Sequence, residues 1–345
     1  MTGMEFELHN IAEFDSDSAY PGPLVRRIPK SVAEELENGA LVAEDAALCE
    51  IRFVVESGRR LAFSLTSLCG GDLFIYRGDL VQNHVRLPVG GVYRHALDFE
   101  NDAFARIRPE AFQYGAFSQN VWRVVIDGVM LFHGIDLMGC SIRPPREDEK
   151  PSRRWLAYGS SITHGFSPIT RQQCYVAQTA RRLGVDVLNL GLAGSCLCEP
   201  SFADYLASRN DWDFTTCELG VNMRSAFAPE EFERRARYLT EKLTVGHPEK
   251  PIVLISAFTS DSDFVTEPDL PSRNTAAFRD ILQTIAREFS DRNVHLVEGT
   301  ELLDSFAGLT CDLVHPSTEG HIRIAENLAA RLRSILPPYG LRVSP

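Results

Sequence analysis

The chain has 345 residues, of which 44% are hydrophobic and 24% charged, and its 47 acidic and 35 basic side chains give a formal net charge of −12. This length suggests about two domains, and the composition is that of a globular protein rather than a disordered or fibrous one. The acidic balance argues against a nucleic-acid partner or an anionic-membrane partner, since both bind positive charge.

Targeting and metal signals are weak. The N-terminal residues contain no basic segment followed by an apolar one, so no signal peptide is predicted. The longest apolar runs, such as Ile252–Phe258, are far shorter than the ~20 residues that span a bilayer. The eight cysteines include no C-x-x-C pair, and Cys196-x-Cys198 alone is weak evidence for a metal. We therefore expect a cytoplasmic protein without a bound metal, and no feature indicates an oligomeric state.

A proline-rich and charged stretch from Arg143 to Arg154 divides the chain. It carries Pro144, Pro145 and Pro151, which disfavour helix and cannot donate to a β-ladder. The pattern predicts a linker at residues 146–153, between an N-terminal domain at 1–145 and a C-terminal domain at 154–340.

The N-terminal part predicts short β-strands, with one helical segment at Ser31–Glu37. The strand-like segments are Cys49–Glu56, Arg60–Leu65, Leu73–Tyr76, Val92–Leu97 and Val121–Leu131. Within the last of these, Asp127-Gly128 between two apolar runs is a typical signal for a two-residue β-hairpin. Many short strands at about ten-residue spacing predict a jelly-roll-like β-sandwich.

After Pro151, strands alternate with helices. The predicted strands are Arg154–Tyr158, Val185–Leu190, Phe214–Leu219, Ile252–Ala257 and Val294–Val297. The predicted helices are Arg171–Leu183, Ser201–Ser208, Pro229–Leu243, Ser272–Phe289 and Thr318–Ile335. This alternation predicts an α/β fold in three layers, a flavodoxin-like five-stranded parallel sheet with helices on both faces.

In such sheets, ligand-binding and catalytic residues usually lie in the loops at the carboxyl ends of the strands. In this sequence those loops contain several candidate catalytic residues. The first loop, Tyr158–Gly165, places serines directly after a strand and lacks the lysine of a phosphate-binding loop. In the next two loops, Gly194 offers a backbone N–H, and Asn222 offers an amide that could donate to a developing oxyanion. Each also has a structural interpretation, as a glycine-rich turn, a βα turn or a helix cap.

The last of these loops contains Asp312 and His315, three residues apart and followed by Pro316. The carboxylate can accept the Nδ1 proton and leave Nε2 free as a base. The alternatives are a surface aspartate beside a solvated histidine, or a partial metal site. A metal site is less favoured, because no third ligand clusters nearby and His321 lies in a predicted helix.

The order and position of these motifs resemble the SGNH (GDSL-type) hydrolase family over roughly residues 154–335. The resemblance implies that Ser161 is the nucleophile, His315 the base and Asp312 the residue that orients it. It also implies an oxyanion hole formed by Gly194, Asn222 and the backbone N–H of Ser161.

Two positions depart from the family pattern. Ser160 stands in place of the aspartate of Gly-Asp-Ser, and Met223 in place of the aspartate of Gly-x-Asn-Asp. Neither position belongs to the implied triad, so the resemblance is to a divergent branch with a Gly-Ser-Ser-Ile-Thr block and an N-terminal β-rich domain.

The resemblance implies an esterase or acylhydrolase that acts through an acyl-enzyme on a small-molecule or sugar ester, without a cofactor. An alternative is an acyltransferase that uses acyl-CoA as co-substrate and a hydroxylated natural product as acceptor. The missing export signal keeps this alternative close behind hydrolysis.

A third alternative is a catalytically vestigial glycan-binding protein. The β-rich domain would then bind sugar, or it simply shapes a cleft. Its aromatic residues Phe74, Tyr76, Tyr93 and Trp122 fall within strand-like runs, so we expect them in the core. We expect His164 to line the pocket or cap a helix, and the acidic loop Thr259–Pro271 to be a lid or a solvated connection.

Overall fold

A computed structural model describes residues 5–99, 103–113 and 115–336. The backbone contacts divide these residues into two compact units. The first contains the described residues of 5–30 and 43–152, and the second contains 31–42 and 153–336. In the described part of the chain, no helix is both long enough and apolar enough to cross a membrane.

The first unit is built from antiparallel β-strands. Its strands are β1 (Glu7–His9), β2 (Glu13–Asp15), β3 (Leu24–Arg26), β4 (Cys49–Ser57), β5 (Arg60–Ser67), β6 (Gly71–Arg77), β7 (Leu80–Leu87), β8 (Tyr93–Asp98), β9 (Val121–Asp127), β10 (Met130–Asp136) and β11 (Ser141–Arg143). The single-turn helix α1 (Lys30–Ala33) follows β3 and lies where the chain passes into segment 31–42 of the second unit. Short 3-10 helices lie at Val42–Glu44, Ala103–Arg106, Pro109–Phe112 and Glu147–Glu149.

These strands form two sheets, which confirms the predicted β-sandwich. One sheet has the order β1-β4-β9-β6-β7 with β11 paired to β4, and the other has the order β2-β3-β10-β5-β8. A shared core contains side chains from both sheets, such as Ile51 and Val124 from the first and Phe63 and Phe132 from the second. Phe74, Tyr76 and Trp122 are also buried, as expected from their positions in strand-like runs.

The predicted hairpin at Asp127-Gly128 is wrong. β9 pairs with β4 and β6, whereas β10 pairs with β3 and β5, so the turn carries the chain from one sheet to the other. Gly128 has a left-handed φ of 97°, and a Cβ there would lie 2.8 Å from the carbonyl oxygen of Gly70. The local pattern identified a tight turn correctly, but each flanking strand finds its partners elsewhere.

A buried ionic cluster ties β4 to β9. Glu50 accepts hydrogen bonds from Arg52 Nε at 2.7 Å and from Arg123 Nε and Nη2 at 2.9 and 2.6 Å. Burial by itself would raise the pKa of Glu50, but the two guanidinium groups outweigh it and hold the pKa well below its usual range. Breaking such a cluster from one side would leave buried charge uncompensated.

The proline-rich stretch is held by ion pairs and groups with the first unit. Arg143 pairs with Glu149 through two hydrogen bonds of 2.7 and 2.8 Å. The buried Lys150 donates to Glu7 at 2.5 Å. Residues 31–42, which sequence alone places in the N-terminal domain, instead group with the second unit. The carbonyl oxygen of Asn38 accepts a hydrogen bond from Ser195, a residue of that unit.

The second unit is the predicted α/β fold. Its strands are β12 (Arg154–Gly159), β13 (Asp186–Gly191), β14 (Phe214–Glu218), β15 (Ile252–Ile255) and β16 (Val294–Val297). Its helices are α2 (Ser161–His164), α3 (Tyr175–Leu183), α4 (Pro200–Ser208), α5 (Pro229–Gly246), α6 (Leu270–Glu288), α7 (Gly299–Leu302) and α8 (Thr318–Ile335). Short 3-10 helices lie at Arg171–Gln173, Asp261–Asp263, Ser290–Arg292 and Phe306–Gly308.

The five strands are parallel and lie in the order β13-β12-β14-β15-β16. This is the doubly wound order 2-1-3-4-5, and the strands are short, buried and apolar, as expected for a sheet covered on both faces. Helices α3 and α8 pack together, and α4, α5 and α6 form a second group. The order reverses beside β12, so the carboxyl ends of β12, β13 and β14 meet at the site where ligands bind in such folds.

Candidate active site

The loop after β12, residues 159–165, is called the serine turn below. Gly159 ends the strand, Ser160 caps α2 by accepting the N–H of Ile162, and Ser161 is the first residue of the helix. A Cβ on Gly159 would lie 2.2 Å from Thr163 Oγ1, so this position has no room for a side chain. The turn is closed by Gly165 with a left-handed φ of 101°, which glycine adopts without strain.

Ser161, His315 and Asp312 form one hydrogen-bonded chain. Ser161 Oγ lies 2.7 Å from His315 Nε2, and His315 Nδ1 lies 2.7 Å from Asp312 Oδ2. Ser161 is 154 residues from His315 in sequence, so tertiary folding alone brings them together. With Nδ1 donating to the carboxylate, Nε2 is the acceptor that can take the serine proton.

The turn that carries His315 is organised by Asp312. Asp312 Oδ1 accepts hydrogen bonds from the backbone N–H groups of Val314 and His315, at 3.0 and 2.9 Å, and from Thr310 Oγ1 at 2.8 Å. Partial burial opposes ionisation, but these donors together with the His315 ring outweigh it and hold the pKa of Asp312 well below its usual range. The carboxylate therefore stays ionised at neutral pH.

Three hydrogen-bond donors predicted for an oxyanion hole belong to the serine turn and the two loops that follow β13 and β14. Gly194 is exposed and has a left-handed φ of 70°. In the described residues, neither its N–H nor that of Ser161 has a hydrogen-bond acceptor within the protein. Asn222 Oδ1 accepts the N–H of Cys196 at 3.1 Å, which leaves the amide NH2 group as the donor on its other side.

The glycine loop, residues 191–199, is held from both sides. The N–H of Ala193 donates to Nδ1 of the buried His164, the last residue of α2. On the other side, Ser195 Oγ donates to the carbonyl oxygen of Asn38 at 3.3 Å. His164 thus links the serine turn to the glycine loop.

An arginine on α5 also supports the glycine loop. Arg235 Nη1 donates to the carbonyl oxygen of Leu197 at 3.1 Å, and its Nη2 pairs with Glu37 at 2.7 Å. Segment 31–42 is therefore part of the scaffold that holds this loop.

Two buried titratable groups lie beneath the site. Glu218, the last residue of β14, accepts hydrogen bonds on Oε2 from the N–H and Oγ of Ser160 at 2.8 and 2.6 Å, and burial raises its pKa to about 7. His321 accepts the N–H of Tyr175 on Nδ1 and donates from Nε2 to the carbonyl oxygen of Phe166. Burial lowers the pKa of His321 to about 4, so it is a neutral core histidine.

The acidic loop after β15 is an ordered connection beside the His315 turn. The N–H of Asp261 donates to the carbonyl oxygen of Leu313 at 2.8 Å, and Arg224 donates to Ser260 and Asp261 at 2.9 and 3.0 Å. Asp263 pairs with Arg279 of α6. Across residues 5–99, 103–113 and 115–336, no group of three or more His, Cys, Asp or Glu side chains is arranged to hold a metal ion.

Sequence reasoning missed Glu218, Arg235 and segment 31–42. A signal for Glu218 was present: it is an acidic residue at the end of a strand whose other residues, Phe-Thr-Thr-Cys, are uncharged. Nothing local marks Arg235 or segment 31–42, because each acts through a partner far away in sequence.

The fold and the site define an α/β enzyme with a serine at the end of its first parallel strand. The model of the GDSL-like lipase/acylhydrolase family matches residues 152–333, more than half of the chain, so the protein belongs to that family. The resemblance inferred from the motifs is thereby confirmed, and the protein is an enzyme of a family of lipases and acylhydrolases. No curated protein matches the sequence.

Solved structures share the fold over most of the chain. The salicylyl-acyltransferase SsfX3 from a tetracycline biosynthetic pathway is 17% identical, with a TM-score of 0.78 and 96% of each chain covered. A GDSL-like lipase from Bacteroides ovatus is 18% identical, with a TM-score of 0.69 and the same coverage. A family two carbohydrate esterase from Clostridium thermocellum, solved with cellohexaose, is 15% identical, with a TM-score of 0.57, 83% of this chain and 91% of that chain covered.

Proposed function

We propose that the protein is a serine esterase, an acylhydrolase that forms an acyl-enzyme on Ser161. The observation that carries the proposal is the chain of two 2.7 Å hydrogen bonds from Ser161 through His315 to Asp312. The same residue types in this arrangement activate serine in unrelated hydrolases, because a serine hydroxyl is a weak nucleophile until a base takes its proton.

The mechanism follows from the geometry. His315 Nε2 takes the proton of Ser161 as Oγ attacks an ester carbonyl, and Asp312 stabilises the imidazolium that forms. The tetrahedral oxyanion accepts hydrogen bonds from the N–H groups of Ser161 and Gly194 and from the Asn222 amide. His315 then returns the proton to the leaving alcohol. A water molecule, activated by the same histidine, hydrolyses the acyl-enzyme and regenerates the free serine.

Exposed apolar side chains near the triad support a substrate with an apolar group. Phe166 is exposed and its N–H bonds to the carbonyl oxygen of Ser161, and the exposed Leu313 lies two residues before His315. On the neighbouring loop, the exposed Phe264 contacts Phe306 edge-on at 5.1 Å. Exposed apolar side chains beside a polar site are typical of a surface that contacts a ligand.

Acyl transfer is the second candidate, with a hydroxyl of a small-molecule acceptor in place of water. The acyltransferase SsfX3 shares the fold over 96% of both chains, which supports this candidate. All eight cysteines lie in described residues and are free thiols. Free thiols are typical of a reducing compartment, where a thioester donor such as acyl-CoA would be available. No cofactor takes part in either reaction.

The first experiment asks whether Ser161 is a nucleophile. A fluorophosphonate probe should label the wild-type protein on Ser161, as located by peptide mass spectrometry, and should not label Ser161→Ala. Ser208→Ala is the matched control, because Ser208 is an exposed serine of α4 that lies outside the serine turn. Wild-type protein that stays unlabelled would refute the proposal and favour a vestigial, glycan-binding protein.

The second experiment separates hydrolysis from transfer. The protein is incubated with short-chain aryl esters, acetylated sugars and acyl-CoA thioesters, each with and without a polyol or polyketide acceptor, and mass spectrometry follows the acyl group. Release of free acid at a rate independent of acceptor supports the esterase. Acyl groups found on the acceptor, with little free acid, would replace the esterase by the acyltransferase.

A further inference from the structure

Glu218 is a buried carboxyl group whose contacts converge on the serine turn. It is completely inaccessible to solvent. Its Oε2 accepts the N–H of Ser160 at 2.8 Å, the hydroxyl of Ser160 at 2.6 Å and the hydroxyl of Thr163 at 3.1 Å. Thr163 Oγ1 is in turn 2.6 Å from the hydroxyl of Tyr175 on α3. Three hydrogen bonds to one oxygen therefore hold Ser160 and Thr163 of the serine turn in place.

The other oxygen and the surroundings argue against a role in stability alone. Oε1 is buried and has no hydrogen-bond partner. Within the described ranges, no arginine or lysine acts on the charge of Glu218, and the titratable groups that face it are Tyr175 and Cys196, whose own pKa values are raised by burial. A buried carboxyl without a cation is costly, and replacing it by an apolar residue would ordinarily be tolerated.

The contacts of Oε2 fix the backbone on both sides of Ser161. Before Ser161, the N–H of Ser160 binds the carboxyl directly. After it, the N–H of Ile162 binds Ser160 Oγ, and that hydroxyl donates its proton to the same carboxyl oxygen. The N–H of Ser161, between these two held neighbours, has no hydrogen-bond acceptor within the described protein.

We propose that Glu218 is a positioning residue for Ser161, acting through Ser160 to set the direction of the Ser161 hydroxyl and backbone N–H. This inference rests on the proposed role of Ser161 as nucleophile. Glu218 does not touch substrate. It holds the serine turn in one conformation. In that conformation the Ser161 Oγ can attack the carbonyl carbon while the Ser161 N–H donates a hydrogen bond to the oxyanion.

The test compares Glu218→Gln and Glu218→Asp with the wild type, using an aryl ester that the wild-type protein hydrolyses. Glutamine keeps a neutral acceptor at the position of Oε2, so kcat should fall about 10-fold. Aspartate withdraws the acceptor by one methylene, so kcat should fall about 100-fold, the loss expected when a reacting group is misplaced by about 1 Å. KM should stay within about 3-fold in both, since no substrate contact changes. Rates are divided by the concentration of sites that fluorophosphonate labels at saturation.

Glu298→Gln is the matched control. Glu298 is a partly buried glutamate of the same unit that directly follows strand β16, and its carboxylate accepts hydrogen bonds from Ser256 and Gln283 rather than from the serine turn or the glycine loop. Its substitution should leave kcat within about 2-fold of the wild type. An equal loss in Glu298→Gln and Glu218→Gln would overturn the proposal, because it would mean that any change to a hydrogen-bonded glutamate at a strand end lowers the rate.

A double-mutant cycle tests whether Glu218 acts on Ser161 through Ser160. Because Glu218 acts through Ser160, the double variant Glu218→Gln/Ser160→Ala should be about as slow as the slower single variant, so the two effects on log kcat should not add. Full additivity would refute the coupling. Wild-type protein that is not labelled on Ser161 refutes the proposed function and this inference together. Labelled wild type with unchanged kcat in Glu218→Asp refutes only the positioning role.

Discussion

Glu218 also predicts how the stability of the second unit depends on pH. Burial raises its pKa to about 7 in the folded protein, compared with 4.5 for an ordinary glutamate. A difference of about 2.5 units at ~1.36 kcal/mol per unit corresponds to about 3 kcal/mol. Between pH 4.5 and 7 the unfolded chain releases this proton and the folded protein keeps it, so rising pH favours unfolding.

The variant Glu218→Gln removes this titration. The free energy of unfolding of the wild type, minus that of the variant, should therefore fall by about 3 kcal/mol between pH 4.5 and pH 8. His321, whose pKa is lowered to about 4, works in the opposite direction, because the unfolded chain binds its proton first as the pH falls. That contribution is present in both proteins and cancels in the difference.

The measurement is urea unfolding at pH 4.5, 5.5, 6.5 and 8, followed by tryptophan fluorescence. The chain has three tryptophans, of which Trp155 and Trp212 lie in the second unit and Trp122 in the first. Placing both proteins in a Trp122→Phe background makes the signal report on the second unit alone. If the difference in unfolding free energy between the wild type and Glu218→Gln stayed constant across this pH range, the raised pKa of Glu218 would be refuted.

Three further substitutions test the remaining parts of the structure. Asp312→Asn keeps the side-chain shape but presents an N–H donor to His315, so kcat should fall about 10²- to 10³-fold, less than for a fully buried triad because Asp312 is half exposed. Asn222→Ala removes one oxyanion donor, and we expect kcat to fall ~100-fold or more with KM little changed. Glu50→Gln removes the carboxylate shared by two buried guanidinium groups, although Arg52 keeps Glu7 and Arg123 keeps the more distant Asp79 as partners. The free energy of unfolding of the first unit should therefore fall by about 3 kcal/mol, the lower end for a broken buried ion pair. Urea unfolding followed by Trp122 fluorescence, in a protein with Trp155 and Trp212 replaced by phenylalanine, measures this loss. Unchanged values in any of the three would contradict the corresponding contact.

The sequence predicted the α/β unit better than the β-sandwich. Buried parallel strands such as Ile252–Ile255 are short apolar runs between amphipathic helices, and that alternation can be recognised locally. Strand β7, Leu80–Leu87, was missed because it is largely exposed and its sequence Val-Gln-Asn-His-Val-Arg is mostly polar. The turn at Asp127-Gly128 was recognised, but a local pattern does not encode which strands will pair.

The candidate site divides in the same way. Asp312 and His315 sit in one turn, so three-residue spacing and the following proline were enough to predict their contact. The serine turn was equally visible, because its glycines and serines directly follow an apolar strand. The hydrogen bond between Ser161 and His315 spans 154 residues. Only the parallel sheet, in which β12 to β16 run in the same direction, brings the loop after β12 and the turn after β16 to the same edge.

The sequence by itself thus determined the local features, which are the strand ends, the tight turns and the histidine beside its aspartate. It also determined the acidic net charge of the chain. The tertiary structure decided what supports them. Glu218 beneath Ser160, Asn38 against Ser195 and Arg235 on the glycine loop are contacts between distant segments. For Glu218 the physical reason is burial, because Oε2 is removed from water and is satisfied only by donors that the fold brings within reach. For Asn38 and Arg235 the reason is proximity, since their partners are distant in sequence and only the fold brings them together.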